Sequence, residues 1–79
     1  MTDHIREPTQ SDVGTHRVVI DERGFQHIGT VMGFDGRGRL IVNSERVQTG
    51  LSSWGRTWDD TRRLEVIGDA RILDTKGED

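Results

Sequence analysis

Seventy-nine residues, 30% hydrophobic and 32% charged, can build one small core and therefore one domain at most. No apolar run approaches the ~20 residues a helical membrane span needs. With no cysteine, the chain has no disulfide, zinc-finger, thiol-nucleophile or iron–sulfur chemistry. The start, Met1-Thr2-Asp3-His4-Ile5-Arg6-Glu7-Pro8, has no apolar stretch behind a positive end, so the expectation is a soluble, cytoplasmic protein without a secretory signal.

The net charge of −3 is unevenly spread. Residues 1–15 and 68–79 each carry −2, whereas residues 16–67 carry +1. Ten of the eleven basic residues are arginines, whose planar guanidinium suits two-pronged contacts to carboxylate or phosphate.

Residues 1–15 hold few sizeable apolar groups amid Thr, Gln, Ser, Asp and Pro, and read as a flexible leader. His16–Ile20 is a first strand, rich in β-branched residues, and Asp21-Glu22-Arg23-Gly24 is a turn. Ile28–Phe34 is a second strand, with Ile28, Thr30, Met32 and Phe34 on one face. Its glycines at 29 and 33 mark a bulge, or a place where another backbone passes close. Asp35-Gly36-Arg37-Gly38 is the clearest turn, supplying positive φ between two apolar runs, and Arg39–Ser44 is the returning strand.

Val47–Ser53 predicts a further strand. Asp59 is placed to cap one helical turn, with Arg62 and Arg63 near its C-terminal end. Leu64–Ile67 alternates as a closing strand, and Ala70–Leu73 adds a short one. No 3.6-residue apolar stripe is present, which excludes helix bundles and coiled coils. The predicted fold is all-β: a small barrel of about five strands over residues 16–73, with one helical turn before the last strand. Flexible acidic tails flank it at 1–15 and 74–79. Closing the sheet is how so short an all-β chain protects its edges.

Gly24-Phe25-Gln26-His27-Ile28-Gly29-Thr30-Val31, followed by Phe34-Asp35 and Arg39-Leu40-Ile41-Val42, resembles the KOW-type SH3-like barrel. Asp59–Ile67 is similar to the single turn and final strand that close such barrels. The same register is similar to the photosystem I subunit IV group, which has a Phe-Gln-x-x-Gly-Thr-Val start to its second strand. The resemblance spans residues 16–67 and implies a fold more than a function. RNA-binding KOW modules are distinctly basic, which this segment is not. Plasmid-type dihydrofolate reductases share the barrel, but of their Val-Gln-Ile-Tyr signature only Val47-Gln48 is present.

No catalytic constellation is visible. Asp59-Asp60 are adjacent carboxylates that diverge on a turn. Gly50–Gly55 lacks the glycine of a nucleophile elbow, and Gly36-Arg37-Gly38 lacks the remainder of a phosphate loop. His4, His16 and His27 have no ligand-like spacing, so neither a metal nor another cofactor is expected. Trp54 and Trp58 are the largest side chains; at least one is expected in the core, and if either is exposed it is Trp54, which lies amid Ser52, Ser53 and Gly55. The candidate partner surface comprises Arg37, Arg39, Trp54, Arg56, Trp58, Arg62 and Arg63, since tryptophan and arginine dominate binding hot spots. The expected function is a non-catalytic module that binds a protein, as an accessory subunit or a small regulator or inhibitor of a larger machine. The alternative is RNA or DNA bound through the same face, with a homo-oligomer as a third arrangement.

Overall fold

The computed structural model describes residues 3–75, which form seven strands and one short 3-10 turn. The strands are β1 (Asp3–Arg6), β2 (His16–Ile20), β3 (Gln26–Phe34), β4 (Leu40–Ser52), β5 (Gly55–Asp59), β6 (Arg63–Ile67) and β7 (Arg71–Thr75). All pair antiparallel, in the order β1-β7-β2-β3-β4-β5. β6 lies beside β5 along one edge of the long β4, whose other edge carries β3. The chain is all-β, as its composition implied. Among the described residues no pairing joins β1 back to β5 or β6, so the sheet is not closed.

Local signals placed several elements. β2 occupies His16–Ile20. In the turn after β3, Gly38 donates its N–H to the Asp35 carbonyl at 3.1 Å. The Asp35 carboxylate accepts the backbone N–H groups of Arg37 and Arg39 at 2.9 and 2.8 Å, so it holds the turn from inside. Both glycines of β3 sit at irregularities, with register shifts at Ile28/Gly29 and Val31/Gly33. At Gly29 the extra residue is Glu45 of β4 and at Gly33 it is Met32 of β3, and each locally disrupts the ladder and bends its own strand.

Four expectations are corrected. The returning strand and the one expected at 47–53 are a single 13-residue strand, β4, because no Gly or Pro interrupts the run from Leu40 to Thr49. No helical turn forms at Asp59; that residue ends β5, opposite Val47, and the one 3-10 turn among the described residues is at Gln10–Asp12. The buried face of β3 is the opposite of the one expected. His27, Gly29 and Val31 lie on the buried side in strict alternation, one residue out of step with the expectation. Met32, the extra residue of the bulge at Val31/Gly33, is 52% exposed, and past it Phe34 packs against the core. Neither tryptophan is in the core. Val19, Val31, Leu40, Val42, Ile67, Ala70 and Ile72 form it, with Phe34 packed against its side. Aliphatic side chains from the inner faces of β2, β3, β4, β6 and β7 suffice.

The leader also departs from expectation. β1 pairs with β7 from Asp3↔Thr75 to Arg6↔Ile72, and the 3-10 turn buries Asp12 to 1% exposure. Arg6 grips the Asp12 carboxylate with both terminal nitrogens, at 2.6 and 2.9 Å, and its Nε bonds Asp74 of β7. Arg17 of β2 lies 3.6 Å from Asp12 and 3.5 Å from Asp74. The Thr9 N–H closes the turn on Asp12 at 2.7 Å. Polarity had suggested mobility, but here the polar groups satisfy one another. Of the expected C-terminal tail, 74–75 belong to β7 and 76–79 lie outside the described residues.

The Arg6 hydrogen bonds, more than the opposing cost of burial, hold the Asp12 carboxyl at about 2. A carboxyl lowered in the folded state stabilises at neutral pH and loses that contribution as pH falls through about 4 towards 2. Asp12→Asn is therefore expected to cost about 2 kcal/mol at pH 7. The gap to wild type should shrink near pH 2, where wild-type Asp12 is itself protonated. Urea unfolding at the two pH values measures both.

Candidate functional site

β3 pairs with β4 no further than Val47, opposite His27. Beyond that point β4 and β5 continue alone as a two-stranded arm, paired Gln48↔Trp58, Gly50↔Thr57, Leu51↔Arg56 and Ser52↔Gly55. The base of the arm is pinned by Gln48, which is 2% exposed. Its Oε1 accepts the Gln26 N–H at 3.0 Å, and its Nε2 donates to the Gly50 carbonyl at 3.1 Å. At the tip, Ser53 and Trp54 make a two-residue turn closed by Gly55, whose φ of +116° favours glycine. The Ser52 hydroxyl accepts the Trp54 N–H at 3.2 Å.

Trp54 is therefore carried to the end of the arm, 95% exposed, with Leu51 67% exposed nearby on β4. Trp58, nearer the base, is half-buried beneath the Arg46 guanidinium, which lies 5.0 Å from the ring centroid. Arg46 also pairs with Asp60 at 3.2 Å.

The candidate arginines do not converge. Arg37 and Arg39 sit at the turn before β4, and Trp54 at the turn after it. Thirteen strand residues separate the two turns, which at ~3.3 Å per residue is roughly 40 Å of chain. Arg39 is held by Asp35 at 2.7 Å and Arg63 by Glu65 at 3.0 Å. Arg56 on β5 and Arg62 just before β6 stay on the Trp54–Trp58 side of β4, exposed and outside every ion pair found among the described residues. Trp54, Arg56 and Trp58 thus share the β4–β5 arm, Arg62 and Arg63 lie nearer the middle of β4 where Arg63 pairs with Ser44, and Arg37 and Arg39 are detached from both.

A second constellation escaped the sequence reading. His27 of β3 is 5% exposed and lies between two carboxylates. Its Nδ1 is 2.7 Å from Glu65 of β6, and its Nε2 is 2.8 Å from Asp21 of the β2–β3 turn. Each ring nitrogen thus lies within hydrogen-bond distance of a carboxylate oxygen on its own side of the ring. Ser44 donates to Glu65 at 2.7 Å, and Arg63 Nε to its other oxygen at 3.0 Å. Asp21 also takes the Arg23 guanidinium and the backbone N–H groups of Arg23 and Phe25 at 2.9–3.0 Å.

Burial works to raise both carboxyls, but these hydrogen bonds outweigh it. Asp21 is held at about 2, and Glu65 below the usual carboxylate range. Because the carboxylates occupy opposite sides of the ring, they cannot converge with it on one cation. Among the described residues no group of three or more His, Asp or Glu side chains is placed to hold a metal ion. Ser44, whose hydroxyl donates to Glu65, is fully buried. Three distant turns and strands supply these residues, which is why spacing gave no signal.

A cleft of about 270 Å³ adjoins this network, between Asp21–Arg23 on one side and Glu65–Gly68 on the other. No helix among the described residues is long and apolar enough to cross a membrane. Comparison with protein-family models, with curated proteins and with solved structures returns no match to this chain.

Proposed function

We propose that this chain is a non-catalytic, SH3-like β module of the cytoplasm that acts by binding a protein through its β4–β5 arm, as an accessory subunit or small regulator. The observation that carries the reading is Trp54, 95% exposed at the tip of an arm whose base is pinned by buried Gln48. An indole left in water forgoes a large burial gain within its own fold, and tryptophan beside arginine is the composition of binding hot spots. Leu51 and Arg56 pair across the same arm and would complete the contact. The rest of the candidate surface, Trp58 and Arg62, forms its shoulder.

Trp54→Ala is expected to leave the fold intact, within about 0.5 kcal/mol, because nothing in the domain packs on an exposed tip residue. Loss of a hot-spot tryptophan weakens partner binding by about 2 kcal/mol or more, roughly thirtyfold. Tagged wild type and Trp54→Ala would be compared by quantitative co-purification from the native host, with far-UV circular dichroism as the folding control. Full retention of partners by the folded variant would refute the arm as the contact.

Nucleic acid through the same face is the second reading. Arg56, exposed on the arm between Trp54 and Trp58 and in no ion pair found among the described residues, is the observation that favours it, since bases stack on aromatic rings while arginines meet phosphate. Titration of labelled protein with short mixed-sequence RNA and DNA separates the two. Amide shifts clustered at Trp54, Arg56 and Arg62 would select the nucleic-acid reading.

A further inference from the structure

β6 pairs with β4 on one edge, and among the described residues no strand covers its other edge. The cleft beside it is lined by consecutive residues Glu65, Val66 and Ile67, whose side chains alternate between faces. It therefore follows the backbone edge rather than either surface of the sheet. Its far wall is the β2–β3 turn, which the Asp21–His27–Glu65 network fixes to β6. A strand added to β6 would lie 4.7–4.9 Å away, within this cleft.

We propose that the free edge of β6 accepts an extended peptide segment of a partner protein as an additional strand, at a site separate from the β4–β5 arm. Side-chain preference follows from the two faces. Outside, Leu64 and Val66 are 66% and 50% exposed on the face that also shows Met32, at 52%, so alternate peptide residues are apolar. Inside, the cleft presents Asp21, Glu22 and Glu65 against Arg23 and His27. Asp21 is matched by Arg23 and Glu65 by Arg63, whereas Glu22 is exposed and belongs to no ion pair found among the described residues, so the intervening peptide residue that meets Glu22 is basic. Main-chain hydrogen bonds supply affinity in this mode, and the alternate side chains supply selectivity.

The test pans a phage-displayed library of random nine-residue peptides against the intact chain. Enriched peptides are then measured on wild type, Leu64→Ser/Val66→Ser, Glu22→Gln and Trp54→Ala. The expected result is enrichment of sequences with alternate apolar residues and a Lys or Arg between them. They should bind at least tenfold more weakly to Leu64→Ser/Val66→Ser and severalfold more weakly to Glu22→Gln. Trp54→Ala should bind them unchanged, and bound peptide should slow amide exchange over Arg63–Gly68.

The substituted positions are exposed, and circular dichroism verifies that each variant is folded. No enrichment, enrichment without alternation, or binders that depend on Trp54 and ignore positions 64 and 66 would overturn the proposal. So would concentration-dependent protection of β6 without peptide, which would assign the edge to a second copy of the chain. Failure here leaves the arm untouched, because Trp54→Ala is read separately.

Discussion

Gly29→Ala is expected to be the most damaging single-methyl substitution in this chain. At Gly29 a bulge in β4 lets the two strands close in. Ile28 pairs with Arg46 and Gly29 with Ser44, leaving Glu45 as the extra residue. A Cβ built on Gly29 would sit 2.1 Å from the Asn43 carbonyl oxygen and 2.8 Å from the Ser44 Cα. Both obstacles are backbone, so no rotamer change relieves them, and the β3–β4 pairing through the core must move.

A cost of about 3 kcal/mol or more follows, as for other overpacked sites. For a domain this size total stability is roughly 4–12 kcal/mol, so Tm should fall by at least about 12 °C. Gly36→Ala is the control. Its added methyl meets no atom within 4 Å, and its Tm should stay within a few degrees of wild type. Thermal melts of the two variants decide the matter, and a Gly29→Ala melt close to wild type would disprove the close pass.

His27→Ala is the second large effect. Removing the imidazole leaves Asp21 and Glu65 facing each other across a cavity, each partly desolvated and each missing a hydrogen-bond partner. Taking one partner from a buried ionic network costs about 3–5 kcal/mol, because the remaining charge is left uncompensated. Arg23 and Arg63 still reach the two carboxylates and place the loss near the lower end of that range. Urea unfolding at pH 7 gives the magnitude. A double-mutant cycle with Glu65→Gln should show a coupling above about 1 kcal/mol, which a merely space-filling histidine would not produce. The network also locks the β2–β3 turn to β6, so slower amide exchange at Phe25 and Gln26 in wild type than in His27→Gln is the matching local signature.

Much of the fold was legible because its signals are local. β-branched runs marked β2 and β6, the Asp35–Gly38 turn chemistry marked the β3–β4 hairpin, and the glycines of β3 marked its bulges. What failed were inferences that needed to know the neighbours. The leader looked too polar to order, yet Arg6, Asp12, Arg17 and Asp74 come from four separate segments to satisfy one another. Asp59 looked like a helix cap, yet the edge of β4 offered a strand partner and the residue joined the ladder. At least one tryptophan looked necessary for the core, yet six aliphatic side chains from five strands, with Ala70 just before β7, fill it.

The candidate site divides in the same way. Trp54 could be singled out as the exposed tryptophan because its Ser-Ser-Trp-Gly setting is that of a turn, and a turn tip has nothing to pack against. The grouping of Arg37 and Arg39 with Trp54 could not be judged, because one long strand separates them and its continuity depends on pairing partners. His27, apparently an isolated histidine, acquires its meaning from Asp21 and Glu65, the latter 38 positions away in sequence.

The sequence by itself determined the all-β class, the main hairpin, the bulged β3 and an exposed tryptophan, because backbone propensity and turn chemistry act over a few residues. The tertiary structure alone decided which face of β3 is buried, how charges pair, that the leader joins the sheet and where an edge is left open. Those outcomes depend on contacts between residues far apart in the chain, and on the desolvation that makes each buried charge require a partner.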